Sequence, residues 1–215
     1  MEFDFAKLLG QQQSGKKRRS SQQKDIISII NIKGIIQDAE DTPSVFSPKN
    51  EQNFAKLRPL IEQAFEMTGV LAVILLINCP GGSPTQTNLI ANFILQRRAK
   101  TKIPVFSVVE DLAASGGYWL ACAADEIHID ENSMVGSIGV ISLNVGLAGL
   151  LRKFGIEPRV QVVGKHKAAQ HPLADHDDAH ERLLQESMQC IISRVGRELF
   201  WIKLGHYLFG VYQKI

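Results

Sequence analysis

The sequence predicts an α/β fold built on a mostly parallel sheet, and two observations carry that prediction. First, nearly continuous apolar runs, Val70–Ile77 and Pro104–Val109, alternate with stretches whose apolar residues recur in steps of three and four, Asn53–Met67 and Thr85–Arg98. A strand covered on both faces reads as an unbroken apolar run, whereas the three-and-four spacing marks a helix with one apolar side. Second, both runs end in strand-to-helix junctions rich in small residues, Asn78–Ser83 and Asp111–Gly117. In open α/β sheets, sites form where the carboxyl ends of strands meet helix starts.

Composition sets the limits. A chain of 215 residues with 45% apolar content is one medium domain, or one domain with appendages, with enough apolar residues for a core. A formal net charge of +2 argues against a general nucleic-acid binder. Cys79, Cys122 and Cys190 have neither disulfide-like nor metal-like spacing and read as reduced thiols. No run approaches the roughly 18 to 20 apolar residues of a membrane span. The N-terminus lacks the apolar core of a secretory signal. A cytoplasmic location is expected.

In chain order, residues 1–24 are a polar tail centred on Lys16-Lys17-Arg18-Arg19, with too few apolar side chains to offset the entropy of ordering. Asp25–Ile36 is isoleucine-rich and interrupted by Gly34, which predicts a strand or a bent strand pair. Ser44–Asn50, flanked by prolines, reads as a loop. Helix Asn53–Met67, strand Val70–Ile77, helix Thr85–Arg98 and strand Pro104–Val109 follow. An Ala-rich helical run, Tyr118–Ala124, leads to a short strand, Glu126–Ile129. Val135–Val140 is punctuated by glycine and opens an apolar segment to Leu143. A short helix, Val145–Phe154, is stopped by Gly155. Glu157–Val163 reads as a strand, Gly164–Leu173 as a polar loop and Asp175–Leu199 as a long helix. Residues 25–199 are thus the folded domain, and residues 200–215 form an aromatic tail.

Ser115 stands at the second junction, between a strand and a helix. A serine there can face a substrate, with the N–H of the next residue aimed at a developing oxyanion, or it can simply cap the helix. This stretch alone leaves cap and nucleophile equally open. A serine hydroxyl also needs a base. A lysine serves only where burial disfavours its ammonium form, because a free lysine is protonated at neutral pH.

Four segments taken together resemble the signal peptide peptidase A family of serine peptidases, its SohB-type members included. They are Ile77-Asn78-Cys79-Pro80-Gly81-Gly82, Asp111–Tyr118 with Ala123-Ala124-Asp125, Val135-Gly136-Ser137-Ile138-Gly139-Val140, and Gly164-Lys165-His166-Lys167. Any one is weak; all four in this order are specific, and they cover roughly residues 25–195. The resemblance implies a Clp protease/crotonase-like fold of repeated ββα units. It also implies a serine–lysine dyad, no cofactor and assembly into rings. Ser115 matches the nucleophile, Lys167 the base, with Lys165 beside it, and Gly82 and Gly116 the oxyanion donors. Peptide substrates, hydrophobic or unfolded, are the expected partners, with contact at the inner membrane because relatives are anchored there. Cys79 replaces the serine usual before Pro-Gly-Gly, and Phe200–Gly210 does not match the family's closing segment.

Other readings are weaker. A catalytically weak or inactive ring subunit that binds peptides would tolerate loss of Ser115. A crotonase-like acyl-CoA enzyme would not need Ser115 and Lys167 together. His166 or His171 as base lacks an indicated acidic partner. His176 and His180 have the i, i+4 spacing of metal ligands, but in acidic, polar surroundings they read as a solvated helix face, so no metal is expected.

Overall fold

The structure is a computed structural model that describes residues 24–38, 51–164, 167–168 and 170–203. The expected tail before Lys24, the loop Ser44–Asn50, Lys165, His166 and the chain after Lys203 lie outside the described residues.

The elements in order are β1 (Ile26–Lys33), β2 (Ile35–Ile36), β3 (Glu51–Gln52), α1 (Phe54–Glu66), β4 (Val70–Cys79), α2 (Pro84–Thr101), β5 (Val105–Ala114), α3 (Gly116–Ala121), β6 (Glu126–Ile129), β7 (Met134–Gly136), α4 (Ala148–Lys153) and α5 (Asp178–Lys203). The main sheet runs β1-β4-β5-β6, all parallel, with β7 also parallel to β5 farther along it. β2 and β3 pair separately, also parallel. The fold is therefore mixed α/β with a parallel sheet, as the alternating pattern predicts. β1, β2 and β3 precede α1, whereas β4–α2 and β5–α3 are single strand–helix units.

Local chemistry sets the boundaries. Gly34, at φ +90°, ends β1 and lets the chain turn into β2. Asn53 caps α1, its Oδ1 accepting the Lys56 N–H at 2.8 Å. Ser83 caps α2, with Pro84 in the first turn. Lys102 closes α2 in the left-handed conformation.

α1, α2 and α3 pack on one face of the sheet. Ile30 and Ile32 of β1, Leu75 and Ile77 of β4, Leu57 and Ile61 of α1, and Ile90 and Ile94 of α2 share one buried cluster. Phe54 and Phe93 join α1 to α2 edge to face, 5.6 Å apart. The apolar runs predict cover on both faces, and here the structure differs. On the other face Ile29 is 58% exposed, and Ile74, Leu76 and Val108 are only half-buried. The strand order advances in one direction, and right-handed crossovers then place successive helices on a single side.

Among the described residues up to Ser193, all the buried ones lie between Ser28 and Ala124. Beyond them Ile141, Leu143 and Val163 are 92%, 87% and 98% exposed. The predicted strand Glu157–Val163 does not form, because among the described residues no strand edge comes alongside to pair with it. The predicted helix Val145–Phe154 shortens to α4, with Gly155 at φ +65° just beyond it. α5 starts later than expected and runs past Leu199 to Lys203. Asp177 sets its start by accepting the N–H groups of Ala179 and His180. His176 therefore precedes the helix, and the shared helix face expected for His176 and His180 is corrected. No described helix is long and apolar enough to cross a membrane.

Two substitutions test this packing. Ile77→Ala, at a fully buried site, should cost ~2–5 kcal/mol. Asn53→Ala should cost ~1 kcal/mol through the lost cap. Urea unfolding of each variant measures both; equal and negligible shifts would contradict the layer described.

Candidate active site

The two glycine-rich junctions meet at the carboxyl ends of β4 and β5. In the first, Cys79 closes the strand and Pro80-Gly81-Gly82 turns toward α2. Gly81 and Gly82 have φ of +96° and +143°, a region L side chains rarely adopt. β2 holds this turn in place. Ile36 donates its N–H to the Gly81 carbonyl at 2.8 Å and accepts the Ser83 N–H at 2.6 Å. A Cβ on Gly82 would lie 1.9 Å from the Ile36 carbonyl oxygen, so only glycine fits. Among the described residues the Gly82 N–H between those bonds has no partner.

In the second junction Ser115 is the residue before α3. Its φ of 50° and ψ of −118° are costly for any residue with a Cβ. The conformation is held by its N–H, which donates to the Gly136 carbonyl of β7 at 2.8 Å, and by its own carbonyl, which accepts the Trp119 N–H at 3.0 Å. The side chain makes no capping hydrogen bond. Of the two roles the sequence leaves open at this position, capping is the one the structure does not display. Gly116 opens α3, where first-turn N–H groups have no intrahelical acceptor.

The junctions touch backbone to backbone. A Cβ on Gly81 would meet the Gly116 nitrogen at 2.6 Å, and one on Gly117 the Cys79 carbonyl oxygen at 2.3 Å. A Cβ on Gly116 would meet Thr87 Oγ1 at 2.6 Å. Beside Ser115 a pocket opens between Pro84, Trp119, Ile138, Val140, Ile191 and Ile192. Its walls come from α2, α3, the chain after β7, and α5, and they are largely apolar.

The structure brings Ser115, Gly82 and Gly116 to this one pocket. Lys167 is exposed in the following loop, its N–H donating to the Gly164 carbonyl at 3.2 Å, and it is not among the pocket's lining residues. His171 sits in the same loop, exposed, with Nδ1 accepting the Leu173 N–H. His176 is exposed too, its Nε2 3.1 Å from both the Asp178 and Glu181 carboxylates. Neighbouring groups are poor proton carriers. Burial, reinforced by Cys122, pushes the Tyr118 hydroxyl up to about 12. Burial likewise pushes the Cys79 thiol up, and the Gly81 N–H donating to its sulfur offsets this only in part. Sequence reasoning missed the Ile36 backbone, the Gly136 carbonyl and the walls from Trp119 and α5. The first two act through main-chain atoms, which leave no side-chain signature. Ile191 and Ile192 look like any apolar helix positions.

The chain is similar to several known proteins. Residues 97–195 match the model of peptidase family S49. The chain is 44% identical over 120 residues to the sodium/proton antiporter NhaA of Brucella melitensis biotype 1, covering 56% of this chain and 16% of that protein. It is 29% identical over 167 residues to the signal peptide peptidase SppA of Enterococcus faecium, covering 77% and 47% of the two chains. Further matches bear the names Protease 4 and SohB. Among solved structures, a lysine-to-alanine variant of the 1510-N membrane-bound stomatin-specific protease, in complex with a substrate peptide, aligns with TM-score 0.40 and 23% identity over 59% of this chain and 50% of its own. The chain thus spans less than half the length of the first two relatives.

The thiols give a direct check on which nucleophile is available. Cys79 and Cys122 are buried and Cys190 is exposed. A chromogenic disulfide reagent should titrate about one thiol in the folded protein and the remainder only after unfolding. Fast reaction at Cys79 would overturn the account of that turn.

Proposed function

We propose, from the match of residues 97–195 to the model of peptidase family S49, that the chain is a serine endopeptidase of that family acting through Ser115 and Lys167. One observation carries the reading. Ser115 is held in a left-handed backbone conformation, makes no cap, and borders an apolar pocket together with Gly82 and Gly116. Backbone strain at a serine without a capping role is the expected mark of a positioned nucleophile.

In the proposed reaction Ser115 Oγ attacks the scissile carbonyl while Lys167 Nζ takes its proton. The carbonyl oxygen, now carrying the negative charge, accepts hydrogen bonds from the Gly82 and Gly116 N–H groups. Collapse of the tetrahedral intermediate breaks the C–N bond, and the leaving amine takes the proton from Lys167. Water then attacks the acyl-enzyme, with Lys167 as base, and Ser115 is regenerated. Because Lys167 is exposed in the free chain, the Gly164–Leu173 loop has to close over bound peptide for this step. The apolar pocket walls favour hydrophobic peptide segments, including signal-peptide remnants. The apolar residues exposed after β7 support assembly into a homo-oligomer, a ring by the family resemblance.

One observation favours a second reading. Lys167 does not line the Ser115 pocket, as a peptide-binding subunit without turnover would allow. A fluorophosphonate activity probe separates the two. Labelling should fall on Ser115, vanish in Ser115→Ala, and drop at least about 1000-fold in Lys167→Ala, the scale seen when a nucleophile or its base is removed. A folded chain that takes no label favours the binding subunit. Undiminished labelling of Lys167→Ala assigns the base elsewhere.

A further inference from the structure

We propose that Asn78 and Asp111 are a positioning pair that sets the offset between the Ser115 turn and the Gly82 turn. The proposal rests on the reading of Ser115 as nucleophile. β4 and β5 pair residue for residue as far as Ile77 with Val109, and the next pair is Cys79 with Ala113. The step is two residues on β4 and four on β5, so β5 carries 4 − 2 = 2 extra residues in a bulge. In unbroken register Asp111 would sit opposite Cys79. Ser115 would then lie two residues farther along, about 6 to 7 Å at the ordinary rise of a strand. The bulge draws the serine back to the level of the glycine turn, which is the re-aiming that bulges beside active sites accomplish.

Two of the three residues between Val109 and Ala113 are tied by their side chains to different strands. Glu110 pairs with Lys33 of β1 at 2.8 Å, and its carbonyl accepts the Ser133 hydroxyl. Asp111 Oδ2 accepts the Asn78 Nδ2–H at 2.8 Å, directly across from β4. Asn78 precedes Gly82 by four residues, and Asp111 precedes Ser115 by four. This hydrogen bond therefore joins the two strands that end in the attacking hydroxyl and the candidate oxyanion donor, just upstream of both. Asp111 is exposed, and neither side chain lines the pocket. Their effect on the reaction passes through strand position, without contact to the substrate.

Exchange of the two residues tests the pair in the full chain. Asn78→Asp sets two carboxylates against each other, and Asp111→Ala removes the acceptor. The double exchange Asn78→Asp/Asp111→Asn restores one donor and one acceptor with the polarity reversed. The readout is fluorophosphonate labelling of Ser115, resolved into probe affinity and maximal labelling rate, beside the melting temperature of each variant. Asn78→Asp should lower the maximal rate about 10- to 100-fold with probe affinity retained, the cost of a misplacement near 1 Å. Asp111→Ala should lose less, and the double exchange should recover most of the rate. A wild-type rate in Asn78→Asp, a loss that the exchange does not rescue, or losses that track melting temperature alone would each overturn the pair. A wild-type chain that takes no label at Ser115 would overturn the nucleophile reading itself, and the positioning role with it. Should Asn78→Asp fail to fold, Asp111→Ala and Asn78→Ala carry the same comparison.

Discussion

Contact between two stretches of bare backbone is the constraint on which this site depends. Gly81 lies against the Gly116 nitrogen and Gly117 against the Cys79 carbonyl, at separations no Cβ could occupy. The two strand ends can therefore approach only where side chains are absent from both. Everything nearby serves that approach. Ile36 pins one turn through paired main-chain bonds, Gly136 pins the other, and the β5 bulge adjusts their relative level. Hydrogen bonds made by carbonyls and amides hold atoms with little conformational freedom, which is what a reaction centre requires.

Much of the fold was legible because its physics is local. The apolar spacing in α1 and α2, the unbroken run of β4 and the strand-to-helix turn at Ser115 all act over a few residues, and each appears where its pattern places it. What failed depended on distant partners. Glu157–Val163 has strand composition, yet a strand exists only beside another edge. The open face of the sheet is a matter of topology, invisible in a run of valines and leucines. That Ser115 and the two glycine-rich junctions could meet was readable because both junctions stand where strands give way to helices, while singling out Gly82 came from the family resemblance. The position of Lys167 relative to them depends on the fold of a polar loop, whose composition carries no such instruction.

The distribution of burial divides the chain unevenly. Residues up to Ala124 supply the core, while the segments after β7 add one wall of the pocket and leave several large apolar side chains in contact with water. Each such side chain forgoes the stabilisation that burial would give it. The match to peptidase family S49 spans this division, since it runs from α2 to within α5. The match thus takes in both the Ser115 turn and the segments that shape its pocket, although only the first region is internally well packed.

The backbone of Ser115 has a consequence for how such a chain changes over generations. Its conformation is one that glycine adopts freely and serine adopts against a penalty of roughly 1–3 kcal/mol. Replacement of the serine by glycine would therefore abolish the hydroxyl and relax the fold in the same step. With Ser115 as the proposed nucleophile, selection for stability and selection for chemistry oppose each other at this single position. Once the need for catalysis lapses, a silent but sturdier descendant is one mutation away, and the return path runs uphill.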